Sequence, residues 1–133
     1  MLGFLVLCAA AFSVTTAAVD TFEACERRGL ELVSIYSQTE ENAIELALGN
    51  NTNGIGHGFW TAGSSLGSAF AWFTTGSALS YKNFPPGQPD NPNTEKCVEL
   101  FRLANGTWRW NNYVCNAELP YICQTKPNCC YFN

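Results

Sequence analysis

The sequence predicts a single α+β domain in which two helices precede a set of short antiparallel strands. Two helix start signals lie before about residue 50, and from there on the chain consists of short aromatic runs separated by Gly and Ser clusters. Helices that come first and strands that come later are typical of the α+β class. The 133 residues suffice for one hydrophobic core and leave no room for a second folded unit.

The first helix is predicted from a cap signature and a stop signal. Asp20 and Glu23 have the spacing of a capping box, in which the first side chain caps the helix and the second reaches back to it. Gly29 is of the residue type that most commonly ends helices, because it adopts a left-handed backbone conformation without steric cost. We therefore expect a short helix over about residues 21–28.

The second helix is predicted in the same way. Ser37 and Glu40 repeat the capping-box spacing before an apolar pattern. The apolar residues of that pattern are Ala43, Ile44, Ala47 and Leu48. This pattern predicts a helix that ends at Gly49.

Strands are predicted in the second half of the chain. Asn105-Gly106 favours the positive φ angles of a tight hairpin turn, and residues 97–103 and 107–110 flank it as two antiparallel strands. Residues 121–123 are the last strand candidate. Aromatic residues at strand spacing usually pack in the core, and those expected there are Trp60, Trp72 and Trp110.

The chain begins with an apolar run that is typical of a secretory signal. Residues 1–12 are apolar and small residues follow, so residues 1–18 are predicted to be a signal peptide and the protein to be secreted. A membrane anchor is disfavoured because a spanning helix needs about 20 apolar residues and this run breaks at Ser13. The domain is then expected over residues 20–124, followed by a cysteine-containing tail at residues 125–133.

The cysteine content indicates disulfide bonds rather than a metal site. Removal of the signal takes Cys8 and leaves six of the seven cysteines, which in a short secreted chain suggest a disulfide framework whose pairing stays open. Zinc is disfavoured because no Cys-x-x-Cys is present, and the single histidine, His57, lies between glycines and is expected to have a plain loop role. Adjacent α-carbons lie about 3.8 Å apart, which is too close for a relaxed disulfide. We therefore expect Cys129 or Cys130 to link two chains into a disulfide-bonded dimer.

Charge and residue content exclude two classes of function. With 7 basic and 11 acidic residues the net charge is −4, which disfavours nucleic acid as a partner. A single histidine, no nucleophile and base pair and no cofactor loop argue against an enzyme.

Two glycosylation sequons accord with a secreted chain. Asn50-Asn51-Thr52 and Asn105-Gly106-Thr107 both have the Asn-x-Thr form, and both lie in predicted turns. Asn50 and Asn105 are therefore candidate N-glycosylation sites.

Several segments, taken in order along the chain, match one known family. They are Cys25 with Gly-Leu-Glu-Leu-Val-Ser-Ile at 29–35, Phe-Trp-Thr-Ala-Gly at 59–63, Trp-Phe-Thr-Thr-Gly at 72–76, Asn-Phe at 83–84 with Gly-Gln-Pro-Asp-Asn at 87–91, and Trp-Asn-Asn-Tyr-Val-Cys at 110–115. This order resembles the C-type lectin-like domain family over about residues 21–124. The resemblance implies the C-type lectin fold, with two short helices packed on small antiparallel sheets, a long loop region and disulfide staples.

The resemblance implies two disulfide bonds, Cys25 to Cys123 and Cys97 to Cys115. It also implies a strand before the first helix that pairs with the last strand, yet little chain separates the predicted signal from that helix. Three outcomes are open. The last strand keeps an open edge, residues 12–16 survive and supply the missing strand, or the sequence is a truncated gene product.

The resemblance further implies a calcium site. Calcium is a hard cation that takes about 6 to 8 oxygen ligands, and the implied ligands are Gln88, Asp90, Glu95, Asn111 and Asn112. Pro89 is implied to follow a cis peptide bond, which aims the side chains on either side of it at one ion. The family usually has Asp where this chain has Asn112, so we expect weaker binding from two carboxylates than from three. No acidic residue lies between Glu45 and Asp90, and at most one calcium is expected.

By the same resemblance, the Gln-Pro-Asp order at residues 88–90 suggests galactose or N-acetylgalactosamine on glycans or glycoproteins. An amide can donate a hydrogen bond where a carboxylate only accepts, so exchanging the two selects a different hydroxyl geometry. Galactose sites also favour an aromatic ring, which residues 91–94 do not supply, and Tyr113 is the nearest candidate. The implied sugar-binding residues are Gln88, Asp90, Glu95, Asn111 and Tyr113.

Two alternatives to the sugar site stay open. The Pro-Pro-Gly-Gln-Pro-Asp run at residues 85–90 is rich in turn formers and is also typical of an ordinary polar turn. A lectin-like domain that has lost calcium and sugar binding would recognise a protein partner instead. Asn112 and the missing aromatic residue favour that second alternative.

Overall fold

The computed structural model describes residues 5–8, 17–50, 57–65, 67 and 69–126. The elements within these residues are β1 Leu5–Cys8, α1 Ala17–Glu26, β2 Leu30–Leu32, α2 Gln38–Leu48, β3 Phe59–Ser65, β4 Phe70–Trp72, β5 Ser77–Ala78, β6 Cys97–Arg102, β7 Trp108–Tyr113 and β8 Tyr121–Thr125. This order confirms the predicted α+β class. In the described part of the chain, neither helix is long and apolar enough to cross a membrane.

Helix α1 differs from its prediction at both ends. It begins at Ala17, so Asp20 lies in the first turn. The expectation that Asp20 caps the helix is therefore wrong. The extension follows from composition, because alanine is the strongest helix former and two alanines precede Asp20. The last helical residue is Glu26, and a turn then leads to Gly29, whose φ is +73°. The predicted end of the signal peptide therefore falls inside α1, and removal of that segment stays a prediction.

Strand β1 pairs with β8, the last strand, whose partner on that edge the sequence analysis left undecided. It runs antiparallel to β8, with Leu5 opposite Gln124 and Cys8 opposite Tyr121. The expectation of an open edge on the last strand is wrong, and the alternative strand at residues 12–16 lies outside the described residues. The segment that pairs belongs to the apolar run that was assigned to the signal. A short apolar run is compatible with a strand as well as with a signal.

Helix α2 forms as predicted. The hydroxyl oxygen of Ser37 accepts a hydrogen bond from the backbone N–H of Glu40 at 3.1 Å, which caps the first turn. Gly49 follows the last helical residue with a φ of 60° and donates its N–H to the carbonyl oxygen of Glu45 at 2.9 Å. The helix buries Glu41, Ile44 and Leu48 against the rest of the domain.

Strands β6 and β7 form the predicted hairpin. Their register runs from Cys97 opposite Tyr113 to Arg102 opposite Trp108. Only Gly106 of the predicted turn pair has a positive φ, of 90°, and the side chain of Asn105 accepts a hydrogen bond from the N–H of Thr107 at 2.9 Å. The turn is therefore of the longer kind that combines a regular turn with one left-handed glycine.

The core lies between the helices and the sheet and is closed by two disulfides. Cys25 of α1 is bonded to Cys123 of β8, and Cys97 of β6 is bonded to Cys115. Both pairings implied by the resemblance are confirmed. The expected core tryptophans, which are Trp60, Trp72 and Trp110, are all fully buried.

Candidate functional site

The site loop, residues 84–96, lies between β5 and β6 and leads directly into β6. It carries three of the predicted ligands, which are Gln88, Asp90 and Glu95. The peptide bond between Gln88 and Pro89 is cis, as the resemblance implied. Asn91 has a φ of +46°, and its carbonyl oxygen accepts the N–H groups of Thr94 at 3.0 Å and Glu95 at 2.9 Å. Local turns therefore fold the loop back on itself before it enters β6.

Asn112 joins β7 to the site loop through the loop's main chain. Its side chain is fully buried, and its carbonyl oxygen accepts the N–H of Asp90 at 3.0 Å. Its amide nitrogen donates to the carbonyl oxygen of Glu95 at 2.9 Å and also to that of Asp90. Both polar atoms of this predicted ligand are thus engaged with the loop backbone.

The carboxyl groups of Asp90 and Glu95 are brought together by the loop. Burial raises the pKa of Glu95, and the negative charge of Asp90 and a hydrogen bond between the two side chains raise it further. A pair of neighbouring carboxylates in a partly desolvated loop attracts a proton or a metal cation. This arrangement favours a cation at the loop.

Gln88 supplies a third oxygen to this region. Its Oε1 atom is buried and has no hydrogen-bond partner among the described residues. A buried acceptor without a partner costs free energy, which a bound cation would relieve. Together with two carboxylates, this unpaired amide oxygen suits a hard cation such as calcium.

Carboxylates alone do not assemble a metal cluster here. Within the described ranges, no three His, Cys, Asp or Glu side chains come together as a candidate metal site. A calcium ion at the loop would therefore depend on amide oxygens as well as on Asp90 and Glu95. Gln88 and Asn111 are the predicted ligands that could provide them.

Asn111 precedes Asn112 in β7 and lies on the side of the hairpin that carries Glu99, whose negative charge helps to raise the pKa of Glu95 in the site loop. Its amide nitrogen donates to the carboxylate of Glu99 at 2.8 Å. The two residues face each other in the hairpin register. The bond occupies the nitrogen end of the Asn111 amide and keeps its carbonyl oxygen as the atom available for a cation or a hydroxyl group.

Glu99 is a site residue that the sequence analysis missed. It is fully buried in β6, where its two oxygens accept the N–H of Gly58 at 2.6 Å, the amide of Asn111 and Nδ1 of His57 at 3.0 Å. The signal was present in the sequence, since a glutamate among the apolar residues of Cys97-Val98-Glu99-Leu100 needs buried partners.

His57 has a larger role than the plain loop role expected for it. Its ring stacks on that of Tyr113, with centroids 4.0 Å apart and planes inclined by 18°. Tyr113 lies two residues after Asn111 and therefore on the same face of β7. The stacked pair provides, beside Asn111, an aromatic surface of the kind that residues 91–94 lack.

A second buried carboxylate lies behind the site. Glu41 of α2 is fully buried and accepts hydrogen bonds from the indole N–H of Trp110 at 2.9 Å, the hydroxyl of Tyr81 at 3.2 Å and the amide of Asn83. Burial raises the pKa of Glu41 to about 7, the neighbouring Glu45 adds to this, and the bonds from Asn83 and Trp110 oppose it. The cluster anchors the residue that precedes Asn111.

The glycosylation and dimer predictions concern residues elsewhere in the sequence. Asn50 and Asn105 are both exposed and therefore accessible to modification. Their glycosylation stays a prediction. Cys129 and Cys130, and with them the predicted dimer, lie outside the described residues.

Comparison with known proteins agrees with this architecture. Residues 15–125 match the family model of the lectin C-type domain. The chain is 31% identical over 118 residues to C-type mannose receptor 2 of Mus musculus, and this match covers 88% of the chain but only 8% of the receptor. It is 32% identical over 107 residues to the perlucin-like protein of Mytilus galloprovincialis, covering 78% of the chain and 67% of that protein.

Solved structures give the same result. The C-type lectin domain of murine dendritic cell inhibitory receptor 2, solved in complex with N-glycan, has a TM-score of 0.78 and 25% sequence identity, covering 95% of this chain and 92% of that one. The domains of this family are non-enzymatic, so the family confirms the expectation that the chain is not an enzyme. From the family match, the fold and both disulfide pairings, we conclude that the chain belongs to the C-type lectin domain family.

Proposed function

We propose that the chain is a secreted, calcium-dependent lectin for glycans that carry galactose or N-acetylgalactosamine. The observation that carries this proposal is the buried, unpaired Oε1 of Gln88 in the same loop as the adjoining carboxyl groups of Asp90 and Glu95. Such a set has unused negative charge and acceptor capacity, which a hard cation would satisfy. The family membership of the chain supports carbohydrate as the ligand.

Each residue of the set has a separate role in this proposal. A bound calcium ion would supply positive charge that holds two neighbouring sugar hydroxyls. Gln88 would donate a hydrogen bond from its amide to one hydroxyl, whereas Asp90 would only accept one from the other. Glu95 and Asn111 would complete the oxygen ligands around the ion. The order of amide and carboxylate across Pro89 is the reason for proposing galactose rather than mannose.

The stacked pair of His57 and Tyr113 supports the same ligand class. A galactose ring has one apolar face, and an aromatic surface buries that face favourably. Tyr113 shares a face of β7 with Asn111, so a sugar held at Asn111 would lie near the ring pair. His57 is thus added to the sugar-binding residues proposed from the sequence.

A second candidate function is recognition of a protein without calcium. Asn112 favours it, because both polar atoms of this side chain are already bonded to the loop backbone. A site with fewer anionic ligands also binds calcium more weakly. In this case the loop would be a rigid surface for a partner protein.

Retention on immobilised galactose, measured in millimolar calcium and again in chelator, separates the two functions. We expect retention with calcium, release with chelator and weaker retention on immobilised mannose. Asp90→Ala should abolish retention, whereas Asn93→Ala, which changes an exposed residue of the same loop, should not. If neither galactose nor mannose retains the protein in calcium, the lectin proposal is overturned and protein recognition is favoured.

A further inference from the structure

We propose that Asn112 is a positioning residue that ties the middle of the site loop to β7, whether or not calcium is bound. The proposal concerns the loop that the proposed function uses, but it requires neither calcium nor sugar to bind. It rests on the three hydrogen bonds between one buried side chain and the loop backbone.

The pattern of these bonds is that of a peptide pairing with a peptide. The carbonyl oxygen of Asn112 accepts the N–H of Asp90, and its amide nitrogen donates to the carbonyl oxygen of the same residue. The second hydrogen of that nitrogen goes to the carbonyl oxygen of Glu95. An asparagine amide has two donor hydrogens, and both are used here. One side chain therefore ties together two loop residues that are five positions apart in the sequence.

The ends of the loop have anchors of their own. Before the loop, the carbonyl oxygen of Asn83 accepts the N–H of Trp110 at 2.9 Å. At its other end, the carbonyl oxygen of Lys96 accepts the N–H of Ser65 at 2.8 Å, and the disulfide of Cys97 follows. Asn112 contacts the loop between these anchors, which places it where the predicted ligands are carried.

A carboxylate at position 112 could make only one of these three contacts. It could still accept the N–H of Asp90, but it has no hydrogen to donate to the carbonyl oxygens of Asp90 and Glu95. An ionised carboxylate would leave three oxygens facing one another, and a bound cation would offset that repulsion. With asparagine, hydrogen bonds within the protein hold the loop in its conformation. With aspartate, the same conformation would depend on a bound metal ion.

Amide hydrogen exchange, followed by NMR in chelator, tests this role directly. The readout is the N–H of Asp90, which the side chain of Asn112 accepts, and the reference is the N–H groups of Trp110 and Ser65 at the loop ends. We expect the Asp90 amide of the wild type to be equally protected in chelator and in millimolar calcium. In Asn112→Ala and in Asn112→Asp, its exchange in chelator should be faster by about tenfold or more.

The matched control is Asn93→Asp, which adds the same charge to an exposed position of the same loop and should leave the Asp90 amide protected. If the buried carboxylate of Asn112→Asp prevents folding, the neutral Asn112→Ala still gives the answer. A wild-type Asp90 amide that exchanges freely in chelator would overturn the proposal, as would variants that exchange like the wild type. Calcium should restore protection in Asn112→Asp, and a failure to do so would count against the calcium site, not against the role of Asn112.

Discussion

The ring of His57 lies 4.0 Å from that of Tyr113 and is nearly parallel to it, while its Nδ1 contacts the buried carboxylate of Glu99. The same carboxylate binds the amide of Asn111. One buried residue therefore orients both an aromatic surface and a predicted ligand.

Removing the ring of His57 should weaken sugar binding without changing calcium binding. His57→Ala loses both the stacking surface and the bond to Glu99, and we expect galactose affinity to fall by about threefold to tenfold. His57→Phe keeps a ring for stacking and should retain most of the affinity. Calorimetric titration of galactose in saturating calcium measures both effects. Equal affinities for wild type and His57→Ala would show that the ring pair does not touch the sugar.

Replacing Gln88 by leucine should separate stability from calcium binding. Gln88→Leu removes the unpaired buried oxygen, so the calcium-free protein should unfold with equal or higher free energy, by up to about 1 kcal/mol. Calcium affinity should fall by about tenfold or more because a ligand is lost. Calcium titration and chemical unfolding in chelator measure the two quantities. Asn93→Leu, at an exposed position of the same loop, should change neither, and a Gln88→Leu variant with wild-type calcium affinity would contradict the assignment.

Glu99 should matter for stability as well as for the site. Glu99→Gln places an amide where three donors converge, so at least one buried donor loses its acceptor. We expect the free energy of unfolding to fall by about 1 to 3 kcal/mol. The control Glu118→Gln makes the same change at an exposed residue and should alter stability by less than about 0.5 kcal/mol. Urea unfolding of the two variants compares them, and equal stabilities would refute the buried role of Glu99.

Glu41 should make the stability of the protein depend on pH. Its pKa is raised in the folded state from 4.5 to about 7, so folding favours the protonated form. The contribution to stability is therefore full below pH 4.5 and is lost as the pH rises through about 7, a loss of about 3 kcal/mol.

The variant Glu41→Gln imitates the neutral carboxyl group and isolates this effect. It should be about as stable as the wild type at pH 5 and more stable at pH 8. Unfolding free energies at both values give the comparison, with Glu118→Gln as the exposed control. Parallel pH profiles for wild type and Glu41→Gln would rule out Glu41 as the titrating group.

Local features were predictable from the sequence because they depend on residues that are near one another in the chain. Ser37 with Glu40 marked the start of α2, and Asn105-Gly106 marked the hairpin. The two disulfides are not local, since one joins residues 98 positions apart, and both were implied only by the family resemblance. The start of α1 was wrong because the cap signature at Asp20 lies within a longer run of helix-forming residues.

Contacts between distant parts of the chain were decided only by the tertiary structure. The pairing of β1 with β8 joins the two ends of the described chain, and an apolar run alone does not name its partner strand. The sequence analysis missed Glu99 and gave His57 a plain loop role, and only the fold shows that the two side chains meet. The family resemblance implied Asn112 as a metal ligand, whereas its position opposite the loop backbone gives it three hydrogen bonds there. Residue type determines which bonds a side chain can form, and the fold determines which partners come within reach.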